Sequence, residues 1–223
     1  GKIHLVVEGP PNLRDVSPCG PEEVPWAQYI GEPGSLYSND EWCKHTDDPI
    51  FRLDTSLRYQ SLTAANTSFI WSPYASIVSG WLLEGIDSLQ IRLEEWRRRP
   101  YFLAWIASNC DSDTRTSALR QMLEVARKAN ISDFHSLGAC MPNTNITIPP
   151  RSAGWPAVVD IYKSYRFVIS FENTIEPGYV SEKLVTALAS GAVPVYYGDG
   201  SAARKIFPDA EFINVHSILH DVD

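Results

Sequence analysis

From Tyr101 onward the chain repeats one pattern, and that pattern limits the fold more than any other feature. Apolar strand-like runs alternate with amphipathic helical segments: Tyr101–Ala107 (YFLAWIA), Thr114–Ala129, Asp133–Leu137, Ala157–Lys163, Arg166–Phe171 (RFVISF), Val180–Ser190, Ala192–Tyr197 (AVPVYY), Ser201–Ile206 and Glu211–Val215. Short apolar runs of this kind read as buried strands, and most are followed by a helix able to cover them. Alternation of this kind reads as α/β with a parallel sheet. Gly191 follows the Val180–Ser190 helix, where a left-handed residue is wanted. In the helix 114–129, Ala118, Met122, Val125 and Ala129 are the expected buried stripe. Cys140–Pro156 reads as a long loop.

The first 70 residues or so are richer in Pro, Gly and Trp, with strand candidates at Lys2–Val7, Ala27–Ile30 and Ile50–Leu53. Ile86–Arg99 has Ile86, Leu89, Leu93 and Trp96 at helical spacing and reads as a helix joining two halves. The chain is therefore expected to divide into two halves in this region.

A parallel sheet places its ligands beyond the carboxyl ends of the strands. Two cations fall there. Arg115 lies in the first turn of the helix after Tyr101–Ala107, and Lys183 in the first turn of the helix after Arg166–Phe171. A helix N-terminus already carries partial positive charge, so each cation opposes it by a few tenths to about 1 kcal/mol. A bend back to surface carboxylates would explain one such residue. Two, at one end of one sheet, read better as a cradle for an anion, with Arg as a two-pronged ligand and Lys as a point charge. Glu182 suits a first turn anyway, but it can also accept hydrogen bonds from a ribose diol. Asn173 and Tyr179 flank the same loop, Gly178 allows a sharp turn there, and Glu176 reads as solvated surface.

Other motifs carry less. Asp111-Ser112-Asp113 matches the metal-binding DxD of some sugar transferases, but Asp before a helix reads first as a cap. Gly198-Asp-Gly200-Ser-Ala-Ala203 matches the dinucleotide fingerprint, yet Pro208 breaks the helix it opens after about two turns. Arg97-Arg-Arg99 reads as a solvated helix end. The net charge of −8 argues against a general nucleic-acid binder. No apolar run is long enough to span a membrane as a helix. The four cysteines form no CxxC pair, and three sequons (Asn66, Asn130, Asn145) together with an even cysteine count favour a secretory compartment.

Taken in order, LAWIASNCDSDTR, SLGAC, FENTIEPGYVSEK, GAVPVYYG and FINVHSI closely resemble the donor-binding signature of the α1,3-fucosyltransferase family, glycosyltransferase family 10. The resemblance covers roughly residues 101–217 and is weak over 1–100. It implies a GT-B fold, two Rossmann-like domains with the acceptor side in 1–95 and the donor site in 96–223. It implies GDP-fucose as donor, a glycan or glycoprotein acceptor, and inverting transfer of fucose to a hydroxyl, expected as the 3-OH of N-acetylglucosamine. Arg115 and Lys183 match the family's diphosphate ligands, Glu182 its ribose contact, and Asn173 and Tyr179 further donor contacts; Ser181 replaces the family's usual Thr and keeps the hydroxyl. The family's general base corresponds to Glu32 in YIGEP, with Glu8 in VVEGPP as the rival. No metal cofactor is required, although a divalent ion can stimulate. No nucleic-acid partner is implied, and the family setting is the Golgi lumen, reached as a type II membrane protein through an anchor outside this chain. Family members carry more sequence before Lys2 and after His216, so part of each domain is expected to lie outside it. Cys110–Cys140 is the preferred disulfide, then Cys19–Cys43.

Overall fold

The apolar runs after Tyr101 do become strands, and the polar segments between them return the chain to the same sheet edge each time. The structure, a computed structural model, describes residues 4–8, 26–30, 51–54, 68–71, 73–86, 89–108, 110 and 113–215, the first four segments as backbone only. Strands β1 (His4–Glu8), β2 (Trp26–Ile30), β3 (Phe51–Asp54) and β4 (Ser68–Trp71) form one parallel sheet in that order. Strands β5 (Tyr101–Trp105), β6 (Phe134–Ser136), β7 (Tyr165–Phe171), β8 (Val193–Tyr197) and β9 (Ile213–Asn214) form a second, in the order β6-β5-β7-β8-β9, again all parallel.

That second order has a consequence for ligands. The chain winds one way from β5 to β6 and the other way from β7 to β8 and β9, so the direction of winding reverses between the neighbours β5 and β7. Loops leaving the carboxyl ends of two such strands diverge and open a crevice.

Period-two alternation sorts the core into two faces. Leu103, Trp105, Ile169 and Phe171 point to one face, which helix α3 (Asp113–Lys128) covers with Leu119 and Ala126. Ala104 and Val168 point to the other, packed with Tyr162 of α4 (Gly154–Tyr162) and Ala187 of α5 (Glu182–Ala189). Tyr196 joins Leu184 and Leu188 of α5 and Ala202 and Ala203 of α6 (Gly200–Ile206) on that side. Gly191 ends α5 with φ 69°, as expected.

Several sequence expectations shift. The stripe on α3 is rotated, because bulky Leu119 takes the centre of the face with Ala126 one turn pair on, and Val125 is left 63% exposed. Helix α4 starts at Gly154, earlier than the expected Ala157, after a 3₁₀ turn at Arg151–Ala153. Pro156 does not prevent this, because a proline in the first turn lacks only an N–H that would have no intrahelical partner. The single helix expected over 86–99 is reduced to α2 (Leu93–Arg97). Leu89 packs with the α5 side of the sheet, whereas Trp96 packs edge-on against Phe167 on the α3 side and donates its indole N–H to the Arg166 carbonyl at 2.7 Å. One straight helix cannot put both on one stripe.

Strand β4 and helix α1 (Tyr74–Leu82) have no counterpart among the expected elements. Helix α1 contains Ser79 and Gly80, poor helix formers, and is built by burying Ala75 and Val78 against Val180, Leu184 and Leu188. Nor is Arg99 the solvated residue the triplet implied. It is half-buried and donates to the carbonyls of Tyr165 at 2.8 Å and Ser190 at 2.6 Å, capping the carboxyl end of α5 with a cation.

At the open edge of β6, Asn143 stands in for a missing strand. Its carbonyl oxygen accepts from Ser136 N–H at 2.8 Å and its amide donates to the Phe134 carbonyl at 2.9 Å. Among the described residues, no helix is long and apolar enough to cross a membrane.

Candidate functional site

The residues after β5 and after β7 lie on the two sides of the winding reversal. Arg115 is the third residue of α3 and Lys183 the second of α5, so both first turns end at this crevice. The Arg115 side chain is buried, 6% exposed, and Lys183 keeps 26% of its side chain exposed. The two cations stand close enough for Arg115 to oppose the charge on Lys183.

Lys183 is held from behind. Its Nζ donates to Ser181 Oγ at 3.1 Å and to Glu182 Oε1 at 3.4 Å, with Glu172 Oε2 at 3.7 Å. Burial pulls the ammonium down, but Glu182 and Glu172 outweigh it and the net shift is upward, with Arg115 opposing. Glu182 is 15% exposed at the side chain. Arg115 is lowered by burial, with Glu172 and Tyr179 acting in the other direction.

Glu172 is the residue sequence reading missed. It follows directly on β7, its side chain is fully buried, and both its oxygens accept: Oε1 from Ser181 N–H at 2.8 Å, Oε2 from the Ser181 hydroxyl at 2.6 Å. Tyr196 O–H lies 3.5 Å from Oε1. Burial raises the Glu172 carboxyl, with Lys183 and the two Ser181 donors pulling it down. No local pattern marks it in the sequence, since its partners are Ser181, nine residues on, and Tyr196 on β8.

The loop between Glu172 and Ser181 is equally constrained. Tyr179 N–H donates to the Glu176 carbonyl at 3.0 Å, closing a turn with Pro177 and Gly178 at its centre, and Gly178 takes φ 81°. Asp199 ties this turn to the next one: Oδ2 accepts from Gly178 N–H at 2.8 Å, while Oδ1 caps α6 through Ser201 and Ala202 N–H, each at 3.0 Å. Tyr179 is buried at 2% and Asn173 is exposed. Glu176, expected at the surface, is buried at 6% because the turn folds it inward.

The glycines of the GxGxxA match serve packing. A Cβ at Gly198 would meet Glu172 Cγ at 2.8 Å as well as the Tyr196 hydroxyl, and one at Gly200 would collide with the Asn214 side chain. Helix α6 spans seven residues, and its N-terminus is occupied by Asp199. The dinucleotide reading loses its support.

On the Arg115 side the brace is covalent. Cys110 and Cys140 form a disulfide, as expected. Thr116 Oγ1 donates to the Cys110 carbonyl at 2.9 Å, and Cys140 N–H donates to the Ala107 carbonyl at 3.3 Å. Gly138 passes so close to Ala107 that a Cβ would collide with its backbone. The α3 N-terminus is thereby pinned to the end of β5.

Glu32, Asn66, Cys19 and Cys43 lie outside the described residues, as do Asp111 and Ser112 of the DxD triplet. Glu8 is the last residue of β1, at the carboxyl edge of the first sheet. Asn130 and Asn145 are both exposed. Among the described residues, no group of three or more His, Cys, Asp or Glu is placed to hold a metal ion.

Comparison with known proteins follows the same lines. Two crystal structures of α1,3-fucosyltransferase, the second with GDP-fucose, superimpose with TM-scores of 0.55 and 0.53 at 17% and 18% identity. They align over 87% and 96% of this chain and 57% and 61% of those chains. At that identity the likeness establishes the fold, which is GT-B. A "GDP-fucose protein O-fucosyltransferase 3" from Xenopus laevis is 34% identical over 157 residues, and one from Canis lupus familiaris 31% over 131. These stretches are 63% and 56% of this chain but only 31% and 26% of the relatives, so the chain spans under a third of their length. Residues 96–220, more than half of the chain, match "Glycosyltransferase family 10 (fucosyltransferase) C-term". The chain belongs to glycosyltransferase family 10, the fucosyltransferase family.

Proposed function

We propose that the chain carries the donor site of an inverting fucosyltransferase that moves fucose from GDP-fucose to an acceptor hydroxyl. The observation that supports this most is the pair of cations at two helix N-termini, flanking the crevice where the sheet reverses its winding. Arg115 and Lys183 grip the diphosphate, together with N–H groups of the two first turns. Glu182 accepts hydrogen bonds from the ribose, and Asn173 and Tyr179 complete the donor contacts. Residues 96–223 form the donor domain and 1–95 the acceptor-side domain.

In the reaction an acceptor oxygen attacks the anomeric carbon from the face opposite GDP. The carbon–oxygen bond to the diphosphate breaks as the new one forms, and the acceptor proton passes to a carboxylate. That base is Glu32, with Glu8 the alternative. Charge develops on the leaving diphosphate, where Arg115, Lys183 and the backbone donors stabilise it, each contributing about 2–4 kcal/mol to barrier lowering by analogy with oxyanion donors. In this reading no step requires a metal, and the site operates in the Golgi lumen, with any membrane attachment made through an anchor outside the chain.

Two acceptors are distinguished by different observations. The motif resemblance favours the 3-OH of N-acetylglucosamine. The relatives named as protein O-fucosyltransferases favour a hydroxyl of a protein. Incubation with GDP-fucose and three acceptors (N-acetyllactosamine, an N-glycan core and a folded protein domain) tests the proposal. Fucose on a glycan or on the polypeptide selects the acceptor; release of GDP with none of them modified, or no turnover at all, contradicts it.

A further inference from the structure

The donor contacts do not include Glu172, yet a buried carboxylate beside Lys183 needs a reason. A carboxylate withdrawn from water is costly unless its acceptors are filled and its charge is opposed. Here both conditions hold, and both are met by groups that lead to the site. Its two oxygens take the N–H and the hydroxyl of Ser181, the N-cap of α5. With its proton committed to Glu172, the Ser181 oxygen turns its lone pairs toward Lys183, whose Nζ lies 3.1 Å away and whose N–H lies 3.4 Å away.

The carboxylate is itself fixed at both ends. Glu172 N–H donates to the Tyr197 carbonyl at 2.9 Å, which fastens the residue to the end of β8. The space for its side chain exists because residue 198 has no Cβ.

We propose that Glu172 is the positioning residue of this site. Through Ser181 it sets where the α5 N-terminus and the Lys183 ammonium stand, and it supplies the negative charge that lets Lys183 remain a cation beside Arg115. The proposal deepens the donor-site reading and rests on it for the identity of the anion, but not for the state of Lys183. The groups facing Lys183 are Glu182 on its own helix, Glu172 at the end of β7 and Arg115 on α3; Tyr196 faces the carboxylate, with Asp199 and Tyr179 acting on Tyr196 in turn, and Tyr162 of α4 faces Glu182.

Glu172→Gln keeps the shape and removes the charge. Two measurements on the 223-residue chain separate the proposal from the reading beneath it. The first is competitive acetylation of Lys183 across pH, followed by mass spectrometry, with no nucleotide present. In E172Q the reactivity of Lys183 should rise at lower pH than in wild type, because the ammonium has lost a counter-charge. Unchanged reactivity overturns the proposal.

The second is GDP binding by calorimetry. E172Q should bind GDP about tenfold more weakly, the loss of one charge-assisted contact. If Glu172 merely repelled the diphosphate, E172Q would bind GDP more tightly, and that result also overturns the proposal. Wild type that does not bind GDP, or K183A that binds as well as wild type, sinks the donor-site reading, and the positioning role in donor binding falls with it. Should E172Q not fold, Ser181→Ala carries the same test. It keeps the carboxylate but removes the hydroxyl bridge, and it should weaken GDP binding about fivefold, less than a charged contact; GDP affinity equal to wild type would reject the bridge.

Discussion

The two helix N-termini at the crevice solve the same problem by different means. Each presents a cation in a first turn where the helix dipole disfavours it. At α3 the approach is stapled: the Cys110–Cys140 disulfide, the Thr116 hydroxyl on the Cys110 carbonyl and the close pass of Gly138 hold the turn to the end of β5. At α5 nothing is covalent. A buried carboxylate, an N-cap serine and the Glu176–Tyr179 turn tied to Asp199 do the holding. The difference is one of sensitivity. The first brace responds to redox conditions, the second to protons and to the identity of three or four polar side chains.

The largest effects should come from the cations themselves. Arg115→Ala and Lys183→Ala should each lower fucose transfer by on the order of 10²–10³, read as turnover at saturating acceptor. In the proposed site both act on one diphosphate, so the double variant should lose less than the product of the two. A fully multiplicative loss would separate the two N-termini and break the comparison.

Next in size is the staple. Cys110→Ser with Cys140→Ser should cost about 3.7 kcal/mol of stability for a loop closed over a separation of 30 residues, measured by denaturant unfolding. The same double variant should weaken GDP binding through Arg115 while leaving the pH dependence of Lys183 acetylation unchanged. A change in the Lys183 profile would show that the two braces are not independent.

The buried carboxylate predicts a pH signature of opposite character. The Glu172 carboxyl is raised above its ordinary value of 4.5, so the stability it contributes is complete below that value and is lost as pH rises through its folded-state value. Wild type should therefore be most stable relative to E172Q in acid and lose that advantage as pH climbs above 4.5. Lys183 is raised above 10.5, so its contribution persists to that pH and fades only beyond it. Thermal unfolding of both proteins from pH 4 to pH 8 checks the acid side; a difference that is flat with pH would deny the carboxyl its shift.

The smallest effect should be Thr116→Val, which removes one exposed side-chain hydrogen bond to the Cys110 carbonyl. It should cost about 0.5–1.5 kcal/mol by the same unfolding measurement.

The parts of the molecule that were legible in the sequence are those where local pattern and burial agree. YFLAWIA, RFVISF and AVPVYY are apolar on both faces and could only be central parallel strands; Gly191 could only end a helix. Arg115 and Lys183 stood out because each violates a local electrostatic preference. Glu172 violated nothing visible: a glutamate after a strand is ordinary until the fold closes over it. Its role depends on Ser181, nine residues later, and on Tyr196 across β8, contacts that no local rule reports. Helix α1 was invisible for a related reason, since its stability comes from α5 and not from its own Ser and Gly. Arg99 was misread because the triplet around it is solvated at Arg97, which pairs with Glu94, while Arg99 turns inward to two carbonyls.

The central claim is that Arg115 and Lys183 together hold a diphosphate at the winding reversal. Calorimetric binding of GDP and of guanosine to wild type, R115A, K183A and the double variant tests it most directly. Wild type should prefer GDP to guanosine by on the order of 10²-fold or more, and that preference should collapse in each variant while guanosine affinity stays level. Equal affinity for GDP and guanosine in wild type, or a preference that survives in the double variant, would contradict it.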